Sequence, residues 1–138
     1  MPLFSRNREA EVHGFILKLV NNNCADIDAL VEGPRLDRRV NLTVVVLVIP
    51  LEKGILQTRK AFTATTKEFS SGGLALVLDE PRALDEVIFG FRWESEMIFL
   101  RAGAKHLNPM GGGFYQLGFR LTGTVHTGDY PELEWISL

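Results

Sequence analysis

The sequence predicts a mainly β fold: a six-stranded antiparallel β-barrel with a helical segment before it and a short helix after it. Six apolar segments carry the β-branched and aromatic residues that strands favour, at positions 40–49, 55–66, 74–78, 87–93, 97–102 and 115–121. Short stretches rich in Gly, Pro and Asn separate them and predict turns. No long helical pattern alternates with these segments, which favours an antiparallel sheet closed on itself.

The first part of the chain predicts a separate helical segment, so the chain divides into residues 1–33 and a barrel with its tail at 34–138. Apolar residues recur there at helical spacing on one face, namely Val12, Phe15, Ile16, Leu19 and Val20. This stripe either packs on the barrel or contacts a protein partner or a second copy of the chain. Packing on the barrel is favoured, because amphipathic helices mostly bury their stripe within their own fold.

Two further features concern the outside of the predicted barrel. The strand at 40–49 is apolar on both faces, so something must cover its outer face, and the N-terminal helix is the expected cover. Near the end of the chain, Asp129 and Pro131 predict one or two turns of helix. Trp135, in that segment, is expected to cover the barrel or to contact a partner.

The net charge and the residue composition disfavour several classes of function. The net charge of −2 gives no basis for binding a nucleic acid polymer or an anionic membrane, so an anionic ligand needs a local basic cluster. Cys24 is the single cysteine, which fits a reducing cytoplasm, and the longest apolar run is far shorter than the roughly 20 residues of a membrane helix. The three histidines are scattered without metal-ligand spacing, and catalytic motifs are absent. We therefore expect a soluble cytoplasmic protein that is not an enzyme and holds no metal or cofactor.

A basic stretch lies just before the first strand and contains Arg35, Arg38 and Arg39. The planar guanidinium group suits two-point contacts to phosphate and to guanine, and it can stack on a base. Arg35 and Arg39, four residues apart, could hold one compact anion, and Arg38 adds positive charge. A run of solvated surface charges explains the same pentapeptide, so both interpretations stay open at this point.

A polar stretch between the second and third strands runs from Glu68 to Gly73. Ser70 can donate and accept hydrogen bonds, Gly73 permits close backbone approach, and Glu68 can accept hydrogen bonds from the N–H groups of guanine. A simple turn explains the same residues. Lys105 and His106, near the last predicted hairpin, could help to hold phosphate.

Taken together and in this order, the two stretches resemble the PilZ domain family, whose Arg-x-x-x-Arg and Asp/Asn-x-Ser-x-x-Gly motifs bind the bacterial second messenger cyclic di-GMP. Arg35 and Arg39 match the two arginines of that pattern, Ser70 matches its serine and Gly73 its glycine. Gly118 and Phe119 match the glycine and apolar residue of a late strand, so the resemblance covers about 34–121. It implies a six-stranded barrel that binds cyclic di-GMP through Arg35, Arg38, Arg39, Glu68, Ser70 and Gly73 and relays the change to a partner.

The chain departs from this pattern at one position. Glu68 stands where the family has Asp or Asn; it keeps the acceptor oxygen on a side chain that is one methylene longer. Some family members lack parts of the motif and bind proteins instead of the nucleotide, so the alternative is an adaptor of that kind. A small barrel enzyme or nucleic-acid binder is a third hypothesis, which the charge and the missing motifs disfavour.

Overall fold

The computed structural model describes residues 40–70, 72–93 and 95–138, and these form a closed antiparallel barrel. The strands are β1 (Val40–Asn41), β2 (Val45–Glu52), β3 (Ile55–Leu56), β4 (Phe62–Phe69), β5 (Gly73–Leu78), β6 (Glu86–Trp93), β7 (Glu96–Gly111) and β8 (Phe114–Val125). Six of them follow one another around the barrel in the order β4-β5-β8-β7-β6-β2, and β2 closes the ring by pairing with β4. The predicted six-stranded antiparallel barrel is confirmed. The predicted helical segment at 1–33 lies outside the described residues.

The first predicted strand is interrupted, because Leu42–Val44 separate β1 from β2. In this interruption the buried hydroxyl of Thr66 forms hydrogen bonds with two backbone groups. Its Oγ1 donates to the carbonyl oxygen of Leu42 at 2.7 Å and accepts from the amide of Val44 at 2.8 Å. Periodicity alone could not show this break, since the segment is apolar throughout.

The second predicted strand, at 55–66, was wrong in its bounds. β3 has only two residues, a 3₁₀ turn follows at Thr58–Lys60, and β4 runs on to Phe69. Glu68 therefore lies in a strand rather than in a turn. Phe69 is fully buried, because its ring belongs to the core.

The hairpin of β7 and β8 is longer than predicted. The predicted strands at 97–102 and 115–121 left residues 103–114 as their connection, but all of these except the tip residues Gly112 and Gly113 belong to β7 or β8. Both tip glycines and Gly111 have positive φ angles of 66° to 91°, which glycine adopts without steric cost. β7 and β8 consequently extend well beyond the strands on either side of them.

Alternate residues of the strands fill the barrel interior. In β6 they are Val87, Phe89 and Phe91, all fully buried. The ring of Phe89 meets that of Phe119 edge to face, with centroids 4.8 Å apart. Such aromatic contacts add to the free energy gained by burying the rings.

A second apolar cluster lies on the outer side of β2 and β6. It includes Ile49, Ile88 and Phe99 from the barrel wall and the buried Leu133 from the C-terminal tail. The cover over β2 within the described residues is therefore the tail, and the expected cover, the N-terminal helix, lies outside them.

A 3₁₀ turn at Pro131–Trp135 holds the tail in this position. Leu133 is 1% exposed, whereas Trp135 is 88% exposed. The expectation that Trp135 covers the barrel is wrong, since Leu133 does so, and contact of Trp135 with a partner stays a prediction. Among the described residues, no helix has the length and apolar character that crossing a membrane requires.

Candidate functional site

An open groove of about 560 Å³ crosses the outer face of β4, β5, β8 and β7. We call it the β4–β7 groove. Its polar and charged lining residues are Glu68, Ser70, Lys105, His106, Asn108, Gln116 and Arg120. The floor consists of Ala75 in β5 and Gly118 in β8, which pair with each other. Because both floor residues are small, the groove lies close to the backbone of the sheet.

The predicted residues Glu68, Ser70 and Gly73 all line this groove. Glu68 pairs with Ala75 in the ladder of β4 and β5, so its side chain shares the outer face with the floor. Ser70 follows β4 directly, and Gly73 begins β5. The structure thus brings the three described residues of the predicted motif together at one end of the groove.

Backbone hydrogen bonds fix the connection that carries Ser70. The amide of Ser70 donates to the carbonyl of Gly73 at 2.9 Å, and the amide of Leu121 donates to the carbonyl of Gly72 at 2.8 Å. The second bond ties the connection to β8. Ser70 is half-buried and is held beside the groove by these two backbone hydrogen bonds.

The structure shows why residue 73 has to be a glycine, for a reason that the sequence did not reveal. A Cβ atom at Gly73 would lie 2.5 Å from the carbonyl oxygen of Phe119, a contact that side chains essentially never make. The predicted reason was close approach of a ligand. The close approach that the structure shows is that of the neighbouring strand β8.

Two β-bulges border the floor, one on each side. In β4, Thr66 pairs with Leu76 and Glu68 pairs with Ala75, so Lys67 is an extra residue. Because a bulge shifts the alternation by one, Lys67 and Glu68 both lie outside the barrel between Thr66 and Phe69, which are buried.

The same arrangement occurs in β7 on the far side of the floor. Ala104 pairs with Phe119 and Leu107 pairs with Leu117, so that Lys105 and His106 stand opposite the single residue Gly118. Both side chains are exposed and line the groove. A regular strand would turn one of the two toward the barrel interior.

The two ends of the groove carry different charged side chains. At one end the Nζ atom of Lys67 donates to Oε1 of Gln116 at 2.9 Å, which bridges from β4 over β5 to β8. At the other end Arg120 pairs with Gly73 and is exposed. The first end thus carries an ammonium group that is bonded to an amide oxygen, and the end beside Ser70 carries the guanidinium group of Arg120.

The groove is locally basic although the whole chain is acidic by two charges. Lys105, His106 and Arg120 line it, and within the described part of the chain none of the three forms an ion pair. A larger hollow of about 750 Å³ near the 3₁₀ turn Thr58–Lys60 is different. There Lys60 pairs with Glu52 at 3.0 Å and Arg82 with Glu80 at 3.1 Å. The β4–β7 groove is therefore the better place for an anion.

The predicted arginines Arg35, Arg38 and Arg39 lie outside the described residues. The described chain begins at Val40, which pairs with Phe69, and Asn41 pairs with Glu68. The residue that follows Arg39 in sequence is thus paired with the strand that carries Glu68 and leads into Ser70.

Sequence reasoning missed Asn108, Gln116 and Arg120 as lining residues. Each is a common polar residue on a strand, and only the register of β5, β7 and β8 places them in the groove. The one available signal was that Arg120 lies two residues after Gly118, which the resemblance to the PilZ family had already singled out. Over the described ranges, no group of three or more His, Cys, Asp or Glu side chains is arranged to hold a metal ion.

Comparison with known proteins adds little to this description. The chain matches no protein-family model and no curated protein. Among solved structures it is similar to the inhibitor of motility MotI (DgrA) of Bacillus subtilis, with a TM-score of 0.48, 12% sequence identity and 70% of this chain covered. The match spans 46% of the length of that chain. The barrel is defined by the strand pairings of the chain itself.

Proposed function

We propose that the protein is a bacterial receptor for cyclic di-GMP that binds the dinucleotide in the β4–β7 groove. The observation that carries the proposal is the pairing of β1 with β4. It brings the residue after Arg39 alongside Phe69, between Glu68 and Ser70 in the sequence. Val40, which follows the arginine stretch directly in sequence, is thereby paired with the strand that carries Glu68, and the two stretches together resemble the PilZ motif pair.

The roles of the residues follow from their chemistry. Arg35, Arg38 and Arg39 hold phosphate and stack on or bond to guanine, with about 1.5–3 kcal/mol for each charge-assisted hydrogen bond. Glu68 accepts hydrogen bonds from the guanine N–H groups, since a carboxylate has acceptor capacity for several partners. Ser70 adds a short polar contact at the same end. The chemistry requires no bond making, so we propose a binding role rather than an enzymatic one, in the cytoplasm and without a resident cofactor.

The output of the receptor is proposed to pass through residues 1–33, because this segment directly precedes the arginines. Ordering of a segment by a ligand is a common switch. Hydrogen exchange over residues 9–31 should slow or quicken when saturating cyclic di-GMP is added. An unchanged exchange pattern there would remove this segment from the signalling step and leave the binding site as it stands.

A calorimetric titration of the full chain with cyclic di-GMP tests the receptor proposal. We expect micromolar or tighter binding, lost in the double variant Arg35→Ala with Arg39→Ala. The matched control is Arg59→Ala with Lys60→Ala, which removes two exposed positive charges outside the groove. Absence of heat and of a thermal shift with the unaltered protein, or equal loss in the control, would overturn the proposal.

The second candidate function is that of an adaptor that binds a protein and not the nucleotide. The long hairpin favours it, because Leu107, Met110 and Phe114 are 38%, 42% and 49% exposed near its tip. Large apolar side chains that stay exposed near the tip of one hairpin are candidates for protein contact. The adaptor is the better hypothesis if the titration shows no nucleotide binding and a partner is recovered whose binding is lost in Met110→Ser with Phe114→Ser.

A further inference from the structure

We propose that Lys105 and His106 form a basic wall that holds a phosphate of the bound dinucleotide, opposite the wall that carries Glu68. The inference rests on the proposed function and deepens it, because neither residue belongs to the motif that suggested cyclic di-GMP. It also orients the bound dinucleotide across the groove, with a guanine edge at β4 and a phosphate at β7.

The β7 bulge is the structural basis of this wall. Ala104 and Leu107 pair with Phe119 and Leu117, two residues of the barrel interior. Paired residues share a face of the sheet, so the bulge leaves Lys105 and His106 together on the outer face. Bulges are frequent beside functional sites because they re-aim side chains in this way.

The residue opposite the bulge leaves room for a ligand. Gly118 stands across from Lys105 and His106, and a Cβ atom there would meet nothing within 4 Å. Its φ angle lies outside the positive region, so the backbone does not require glycine. A glycine inside a strand costs stability and often marks a place where a ligand comes close to the backbone.

The two walls of the groove differ in the charge of their side chains. Lys105 and His106 are exposed and, in the part of the chain that the structure describes, have no carboxylate partner. Glu68 lies across the floor residues Ala75 and Gly118. Three strand spacings separate the two walls, roughly 14 Å along the sheet. An anion is attracted to the β7 wall and repelled from Glu68, whereas the N–H groups of guanine prefer the carboxylate.

The test compares the affinity of cyclic di-GMP for four forms of the full chain by calorimetry. They are the unaltered protein, Lys105→Gln with His106→Gln, the cationic variant Lys105→Arg with His106→Arg, and the control Lys60→Gln with His126→Gln. The control changes the same residue types at exposed positions outside the groove. We expect about tenfold or greater weakening in the first variant, near-normal affinity in the second, and no change in the control. The unaltered protein should also lose more affinity than the first variant when salt is raised.

The outcomes separate this inference from the receptor proposal. Binding by the unaltered protein that stays within twofold in the Lys105→Gln with His106→Gln variant overturns the basic wall and leaves the receptor intact. Equal weakening in the cationic variant also overturns it, because a loss in the presence of two positive charges would come from altered packing. Absence of binding by the unaltered protein overturns the receptor and, with it, this inference.

Discussion

Gly90 in β6 and Gly118 in β8 both lie on the outer face of the barrel, and their surroundings differ. A Cβ atom on Gly90, in β6, would lie 3.0 Å from Met97 Cε and 3.1 Å from Phe99 Cε1. A Cβ atom on Gly118, in β8, would meet nothing within 4 Å. The outer face near Gly90 is filled by apolar side chains, and the outer face near Gly118 is open.

The difference teaches how one barrel divides its outer surface between stability and binding. On the β2 and β6 side, Ile49 and Ile88 pair with each other and are fully buried, because Leu133 packs over the same cluster. On the β5 and β8 side the paired outward residues Ala75 and Gly118 are small, and polar side chains stand around them. The first side contributes to the free energy of unfolding, whereas the second leaves backbone accessible.

The largest effect should come from the covered side. Leu133→Ala removes a side chain that is 1% exposed and should lower the free energy of unfolding by about 2–5 kcal/mol. Chemical denaturation of the purified chain measures this directly. The affinity for cyclic di-GMP should not change below the denaturation range, because the tail and the groove lie on different parts of the wall.

Trp135→Ala is the control for that change, since Trp135 lies in the same 3₁₀ turn and is 88% exposed. It should alter the free energy of unfolding by no more than about 0.5 kcal/mol. If the two variants were equally stable, the tail would not cover the barrel in solution, and the comparison between the two sides would fail.

A smaller effect is expected at the end of the groove. Gly73→Ala places a Cβ atom 2.5 Å from the backbone oxygen of Phe119, and neither strand can move without disturbing its ladder. We expect a loss of about 1–3 kcal/mol in the free energy of unfolding, measured by the same denaturation. Gly72→Ala, one residue earlier and with nothing within 4 Å of its Cβ atom, should be neutral. Comparable losses in both would show that the turn, and not the contact with β8, needs glycine.

The sequence predicted the barrel because strand alternation is a local signal. The segment at 87–93 was predicted as a strand, and three of its alternate residues, Val87, Phe89 and Phe91, are fully buried. The break at Leu42–Val44 could not be predicted, because it depends on the hydroxyl of Thr66, far away in the chain. The contribution of the tail to the cover over β2 was not predicted for the same reason: an apolar face shows that a cover is needed but not which segment supplies it.

The candidate site was predictable in part. Glu68, Ser70 and Gly73 are close in sequence, and they line one groove, whereas their binding of a ligand stays a prediction. The far wall depends on a two-residue bulge in β7, whose register against β8 leaves no mark in the local pattern. Arg120 was missed because an arginine on the outer face of a strand is ordinary until its neighbours are known.

The smallest expected effect on stability tests the open side of the comparison. Gly118→Ala should raise the free energy of unfolding by about 0.4–1 kcal/mol, because alanine has less freedom in the unfolded chain and fits the φ angle of this position. The added methyl group occupies the floor of the groove, so cyclic di-GMP should bind more weakly by about 1–3 kcal/mol. Gly103→Ala in β7 is the control, since its Cβ atom also meets nothing within 4 Å and it lies outside the groove. It should give the same gain in stability with unchanged affinity, and a gain in stability at Gly118 without any loss of affinity would show that the ligand does not reach the floor.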